Sequence, residues 1–242
     1  MTFNTDQNPS GHPAWGIPAT IAWLLFSFLL GTVVATLVFA ALQGDRASTF
    51  TYDGVVITIG AFASVPVQVG VLSYAAMLRH WAPAGYLALN RPRPGEIVFA
   101  VLCIIAFIIA SDLLLVVSGR ALVPSYQIEA YQSAKDAGWL IGLLLAVIIV
   151  APIGEEIAFR GFLYRGLVRP GYEKLTIVVI ATAWALLHIQ YDWLGMVQIF
   201  AAGLLLGWVR WASRSTTLTI LMHVMINVEA MIETAIKAEG LF

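Results

Sequence analysis

A single cysteine, Cys103, and a charged fraction of only 11% are the clearest shortages in this chain of 242 residues. One thiol closes no internal disulfide, and without a Cys-x-x-Cys pair it anchors no zinc knuckle. Soluble domains carry about 25% charged residues, so a chain with 11% lacks the polar surface to meet water on every side. Surplus positive charge is missing as well. The net charge of −1 leaves no excess of Lys and Arg to displace phosphate counterions, which argues against nucleic acid as a partner. What the chain has instead is apolar sequence: 60% of its residues are hydrophobic, and apolar runs succeed one another from Ile17 onward with no soluble block between them. The composition is that of a single integral membrane domain, 1–242, whose constant partner is the lipid bilayer.

A bilayer core about 30 Å thick needs roughly 20 apolar residues per helix. Windows meeting or approaching that length fall at 17–42, 55–78, 96–117, 138–164, 175–190, 193–211 and 218–236. The expected fold class is therefore all-α, a polytopic transmembrane helix bundle of about seven spans, with eight helices as the upper count. The first window is longer than a signal-peptide core, which runs 7 to 15 residues, and no basic segment precedes it, so it is read as a helix. The longest connection, 118–137, is read as a loop in which Ser125 and Glu129 can start a short interfacial helix. Arg79, Arg91, Arg93, Arg165, Arg169, Lys174, Arg210 and Arg214 fall on one side of the expected membrane; Arg46, Arg120, Lys135 and Lys237 fall on the other. Because cations are retained on the cytoplasmic side, the first group is expected inside, with 1–16 as a cytoplasmic N-terminal segment and the C-terminus outside.

Charged side chains at a helix centre cost about 2.5 to 3.5 kcal/mol each on insertion scales, and they face a bundle interior or a wet cavity. Four places qualify: Asp112; Glu155 and Glu156 with Arg160; His188; and His223 with Asn227. Glu229 and Glu233 lie near the end of the last window and read as structural or interfacial. Pro152 removes a backbone hydrogen bond just before the acidic pair, which predicts a kink there. Adjacent residues point about 100° apart on a helix, so the two glutamates diverge, whereas Glu156 and Arg160 are four apart and share a face. Glu156 is therefore expected to be held by Arg160, leaving Glu155 for chemistry. Trp184 and His188 share a face by the same spacing, as do His223 and Asn227. At 1.5 Å per residue, Glu155, His188 and His223 lie about 15, 21 and 13 Å from the nearest basic residue of the cytoplasmic group. Similar depths place them around one polar cavity carried by the helices of 138–237.

A carboxylate beside two imidazoles and a carboxamide suits amide hydrolysis. Glu155 can take a proton from water with help from His188, while His223 and Asn227 can donate to the oxyanion of a tetrahedral intermediate. The sequence holds no Gly-x-Ser-Gly, no Gly-x-Gly-Asp and no His-Glu-x-x-His, so serine, aspartyl and zinc-helix intramembrane proteases fit less well. Glu155, His188 and His223 also make a three-ligand zinc set with an open fourth position. Direct and metal-assisted activation of water both remain open on the residues alone.

Glu155-Glu156-x-x-x-Arg160, Trp184-x-x-x-His188 and His223-x-x-x-Asn227, in that order on separate apolar helices, resemble the CAAX-protease and bacteriocin-processing (CPBP, or Abi) family of intramembrane proteases. The family's second motif usually begins with Phe, where this chain has Trp184. The resemblance implies an all-helical intramembrane endopeptidase whose eukaryotic relatives remove the last three residues of prenylated CAAX proteins. It implies that Glu155 activates water with His188, that His223 and Asn227 hold the oxyanion, and that Glu156, Arg160 and Trp184 support them. Members are often labelled metalloproteases. A glutamate-dependent mechanism without a cofactor is the favoured reading, with Zn2+ as the alternative.

The expected substrate is a peptide or membrane protein, lipidated or not, and the expected location is the inner (plasma) membrane of a bacterium. Two other readings compete. One is a non-enzymatic scaffold or bacteriocin-immunity factor of the same fold. The other is a small ion-coupled transporter using Asp112, Glu155 and the histidines, against which stands the lack of an internal repeat.

Overall fold

The computed structural model describes residues 13–43 and 52–241; most of the expected N-terminal segment 1–16, together with Arg46, lies outside them. Among the described residues the fold is all-helical. Nine helices follow one another: α1 (Ile17–Gln43), α2 (Gly54–Leu78), α3 (Pro83–Tyr86), α4 (Pro94–Val117), α5 (Ser125–Asp136), α6 (Leu140–Leu167), α7 (Glu173–Leu186), α8 (Trp193–Ser213) and α9 (Thr216–Ala238). Six of them, α1, α2, α4, α6, α8 and α9, are long and apolar enough to cross a membrane. Leu25, Leu29, Leu37, Leu102, Ile109 and Val117 of α1 and α4 are each about 60% exposed or more, as side chains facing lipid would be.

The count differs from the seven spans expected. The window at 175–190 forms α7, whose 14 residues cover about 21 Å, short of a core about 30 Å thick. Its apolar residues run on past the point where the helix stops, at the turn around His188. The connection at 118–137 differs too: from Ser125 onward it is a three-turn helix, α5, packed against α2 and α9.

Hydrogen bonds between loops sort the helix ends into two layers. In one, Arg79 Nε donates to Pro13 O (3.0 Å), Arg165 to Tyr86 O and Gly85 O (both 3.0 Å), and Thr216 N to Ala88 O (2.8 Å). In the other, Gly54 N donates to Ser133 Oγ (2.8 Å), Arg120 pairs with Asp192 (2.8 Å) and Lys135 with Glu239 (2.6 Å). Pro13 and Glu239 thus belong to opposite layers, and α7 joins the layers despite its length.

The helices that carry the polar motifs are packed closely. Gly203 and Gly207 of α8 lie one turn apart against α7: a Cβ on Gly203 would sit 2.9 Å from Ala181 Cβ, and one on Gly207 would sit 2.7 Å from Ile177 Cγ2. Small residues four apart let transmembrane backbones approach in this way. The approach brings the α8 backbone within reach of Arg160 on α6, as the site requires.

Candidate active site

α6 is not a uniform helix. Two π-helical stretches, Ala146–Val150 and Ile157–Leu163, flank the α-helical turn Ala151–Glu156 that carries the acidic pair. Wide turns of this kind are frequent at functional sites. The first has a local cause and a local effect. Ala151 N donates five residues back, to Ala146 O, so the next bond of that ladder would run from residue 152 to Val147 O. Pro152 has no N–H to give. Val147 O is left open, and Asn227 Nδ2 of α9 donates to it at 2.7 Å. The expected distortion at Pro152 is present as a widened helix whose spare carbonyl fixes a motif residue.

Glu155 and Glu156 face different surroundings, as their 100° separation requires. Glu155 is half-buried, and its Oε2 accepts a 2.6 Å bond from the indole Nε1 of Trp184. The same Trp184 holds His188, whose Nδ1 lies 2.8 Å from the Trp184 carbonyl. A carbonyl can only accept, so Nδ1 carries the hydrogen and Nε2 is turned away from it. Glu155 and His188 are joined through Trp184; no direct bond links them.

Glu156 is fully buried, as is Arg160, at 0% and 1% side-chain exposure. Arg160 Nη1 donates to Glu156 Oε1 at 2.8 Å, and His223 Nδ1 of α9 lies 3.0 Å from the same oxygen. Arg160 also reaches Gly203 O (3.4 Å) and stacks over the Trp184 ring, with Cζ 4.4 Å from its centroid. A buried charge pair repays its desolvation only when further hydrogen bonds and packing accompany it, and here they come from α7, α8 and α9. The edge-on contacts of Trp184 with His188 (5.1 Å) and His223 (5.3 Å) close the cluster. Six of the motif residues, Glu155, Glu156, Arg160, Trp184, His188 and His223, therefore belong to one connected group with Trp184 at its centre, and Asn227 is tied to the same helix α6 through Val147 O.

The alternative zinc set does not converge in this arrangement. Among the described residues, one group of three His, Cys, Asp or Glu side chains brings ligand atoms within 4.8 Å of one another, and it is Asp112, Glu229 and Glu233. Glu155, His188 and His223 are not such a group, although each keeps one ligand atom, Oε1 or Nε2, outside the hydrogen bonds of the cluster. Glu229 and Glu233, read as structural or interfacial, meet Asp112 of α4. Their i, i+4 spacing marks a shared face, but nothing local in the sequence names the opposing helix.

One neighbourhood escaped the sequence altogether. Tyr191 stands 6.1 Å from the His188 ring, and Tyr126 of α5 packs edge-on against it at 5.1 Å. Gln127 Nε2 donates to the hydroxyls of Tyr191 (3.0 Å) and Tyr126 (3.3 Å), and Thr234 Oγ1 donates to Gln127 Oε1 (3.0 Å). Burial pushes both phenol hydroxyls above their ordinary range, so they stay protonated. Tyr126 and Gln127 lie on α5 and Tyr191 in the turn after α7, the two segments where the helix reading was weakest, and Thr234 reaches them from α9.

Residues 137–228 match the family model described as type II CAAX prenyl endopeptidase Rce1-like. The matched stretch contains every residue of the motif group. No curated protein and no solved structure matches the chain.

Proposed function

We propose, from the match of residues 137–228 to the Rce1-like family model of type II CAAX prenyl endopeptidases, that this integral membrane protein hydrolyses peptide bonds within the bilayer. The observation that carries the reading is the division of labour between neighbouring carboxylates. Glu156 is enclosed by Arg160 and His223, while Glu155 is half-buried and has one oxygen, Oε1, with no protein hydrogen bond.

In the proposed reaction, water binds between Glu155 Oε1 and His188 Nε2. The indole N–H of Trp184 fixes the carboxylate and its carbonyl fixes the imidazole, so the water meets two oriented acceptors. Glu155 takes one proton as the water oxygen bonds to the scissile carbonyl carbon, and the carbonyl electrons move onto its oxygen. That oxyanion is held by the second N–H of Asn227 and by Nε2–H of His223. Donation from His223 Nε2 requires hydrogen on both ring nitrogens, the form that Glu156 Oε1, 3.0 Å from Nδ1, is placed to stabilise. Each such donor contributes about 3 to 4 kcal/mol to the transition state. The proton held by Glu155 then passes to the leaving amine as the C–N bond breaks. No step is routed through a metal.

The substrate class that fits is a peptide or membrane protein entering from the bilayer, with or without a lipid anchor. The reading further assigns the protein to a bacterial inner membrane with the arginine-rich layer and the N-terminus on the cytoplasmic side, following the cation asymmetry. The test is cleavage of a quenched peptide library, with and without a lipid group, by the purified protein in detergent. Wild type should turn over and retain its rate in strong chelator. Glu155→Ala should be inactive while remaining folded. A Glu155→Ala protein that cleaves as fast as wild type removes the assignment, and activity lost to chelator and restored by zinc replaces the direct mechanism with a metal-assisted one.

A further inference from the structure

The arginine-rich layer divides its arginines into two kinds. Arg79, Arg165, Arg169 and Arg210 all place their guanidinium groups on backbone carbonyls, and Arg79, Arg165 and Arg210 also stack on Trp15, Trp81 and Tyr164. Arg91, Arg93 and Arg214 are exposed, and no hydrogen bond or ion pair engages their guanidinium groups among the described residues. These three are gathered at one corner. Asn90 Nδ2 donates to Arg214 O (2.9 Å), Ser215 Oγ donates to Asn90 O (2.6 Å), and Thr216 N donates to Ala88 O, so 88–93 is clamped to the turn between α8 and α9. Arg214 holds the left-handed conformation at φ 57°, which non-glycine residues seldom adopt. The corner is thus a rigid mount for three unengaged cations.

Immediately beside it, a cavity of about 210 Å³ opens between the start of α4 and the end of α8, lined by Glu96, Phe99, Trp208, Ala212, Ser213 and Leu218. Phe99 and Trp208 are 51% and 40% exposed and pack on each other at 5.8 Å, on the same face of α4 as the exposed Val98 and Leu102. The one acid in the lining, Glu96, has its Oε2 engaged by Arg93 N at 2.8 Å. An apolar groove facing lipid, capped at the water boundary by unpaired arginines, matches a molecule with an anionic head and a hydrocarbon body lying along the helices.

We propose that this corner is a binding site for an anionic phospholipid, its phosphate held by Arg93 and Arg214 with Arg91 alongside, and one acyl chain seated against Phe99 and Trp208. The site is distinct from the Glu155 group and does not depend on the protein being a peptidase.

Thermal unfolding in neutral-detergent micelles tests it, with phosphatidylglycerol, phosphatidylcholine or inorganic phosphate added and lipid adducts counted by native mass spectrometry. Phosphatidylglycerol should raise the wild-type midpoint by about 5 °C, the size expected of a ligand well above its dissociation constant on a chain of this length. Phosphatidylcholine and phosphate should give much smaller shifts. Arg93→Gln with Arg214→Gln should lose most of the phosphatidylglycerol shift and the adduct. Ala212→Phe, which fills the groove without touching a charge, should do the same, and Lys174→Gln, elsewhere in the layer, should leave both intact. Equal shifts with the two lipids, a full shift with phosphate alone, or a double variant that keeps both shift and adduct would overturn the proposal.

Discussion

Glu155 and Glu156 are chain neighbours, yet their environments differ more than those of most distant pairs. Glu156 has a guanidinium and an imidazole on a single oxygen and no solvent exposure. Glu155 is half-buried, with one indole N–H on Oε2 and no protein hydrogen bond on its second oxygen. A helix turn of about 100° per residue is enough to put one acid into the packed interior and leave the other half-buried. The contrast teaches that one residue step along a helix separates a carboxylate enclosed by the packing from the one that the proposed function assigns to chemistry.

The sharpest way to break the contrast is to remove each acid's function and see which property fails. Glu155→Ala should lower turnover by about 10³-fold or more, in the range of a lost general base, with the thermal midpoint nearly unchanged; peptide cleavage and unfolding measured on one sample check both. Arg160→Met should do the reverse in kind: it strands a buried carboxylate, and the protein should lose about 3 to 5 kcal/mol of stability, read as denaturant or thermal unfolding in detergent. Adding Glu156→Gln to that variant should restore part of the loss, because the stranded charge is gone.

Asn227→Ala should reduce kcat by about 10²-fold, the lower end for an oxyanion donor, with KM little affected, as steady-state kinetics will show. Trp184→Phe keeps an aromatic wall but deletes the indole N–H on Glu155. A hydrogen bond to a charged group contributes about 1.5 to 3 kcal/mol, so a fall of roughly tenfold in kcat/KM or somewhat more is expected, without the stability loss of Arg160→Met.

The smallest effect belongs to the exposed tie between α5 and the end of α9. The Lys135 ammonium bonded to it holds the Glu239 carboxyl below its ordinary range, and the Glu239 carboxylate holds Lys135 above its own. Stabilisation from Glu239 is present above the ordinary carboxylate range and lost as pH falls through its lowered value. Stabilisation from Lys135 is present below the ordinary lysine range and lost as pH rises through its raised value. The tie should therefore persist across neutral pH and fade at both extremes. Because both groups are exposed, Lys135→Met should shift the unfolding midpoint only slightly, and its pH profile should converge with that of wild type at both ends.

The long spans were legible because twenty or so apolar residues in succession have few alternatives to a membrane helix. The motif faces were legible because i, i+4 spacing is a property of the helix itself. That reasoning separated Glu155 from Glu156 and paired Glu156 with Arg160. It missed what depends on an opposing surface. The indole bond to Glu155 needs α7 placed beside α6, and the meeting of Asp112 with Glu229 and Glu233 needs α4 beside α9. The truncation of α7 has no cue in hydropathy, since Leu186, Leu187 and Ile189 continue the apolar run past the helix end. Pro152 announced a distortion but not its form.

That form bears on how the chain tolerates change in length. A π-helical turn holds one residue more than the α-turn it replaces, so Ala146–Val150 amounts to an insertion absorbed locally. Deleting one residue there would let the ladder close as an ordinary helix, with the segments before and after keeping their rotational setting. With Ala146 the residue removed, both carboxylates would stay on their present faces, yet Val147 O would accept from Ala151 N four residues on and be drawn away from the α9 amide. The extra residue is what allows a single helix to be continuous as a membrane crossing and interrupted as a hydrogen-bonded ladder.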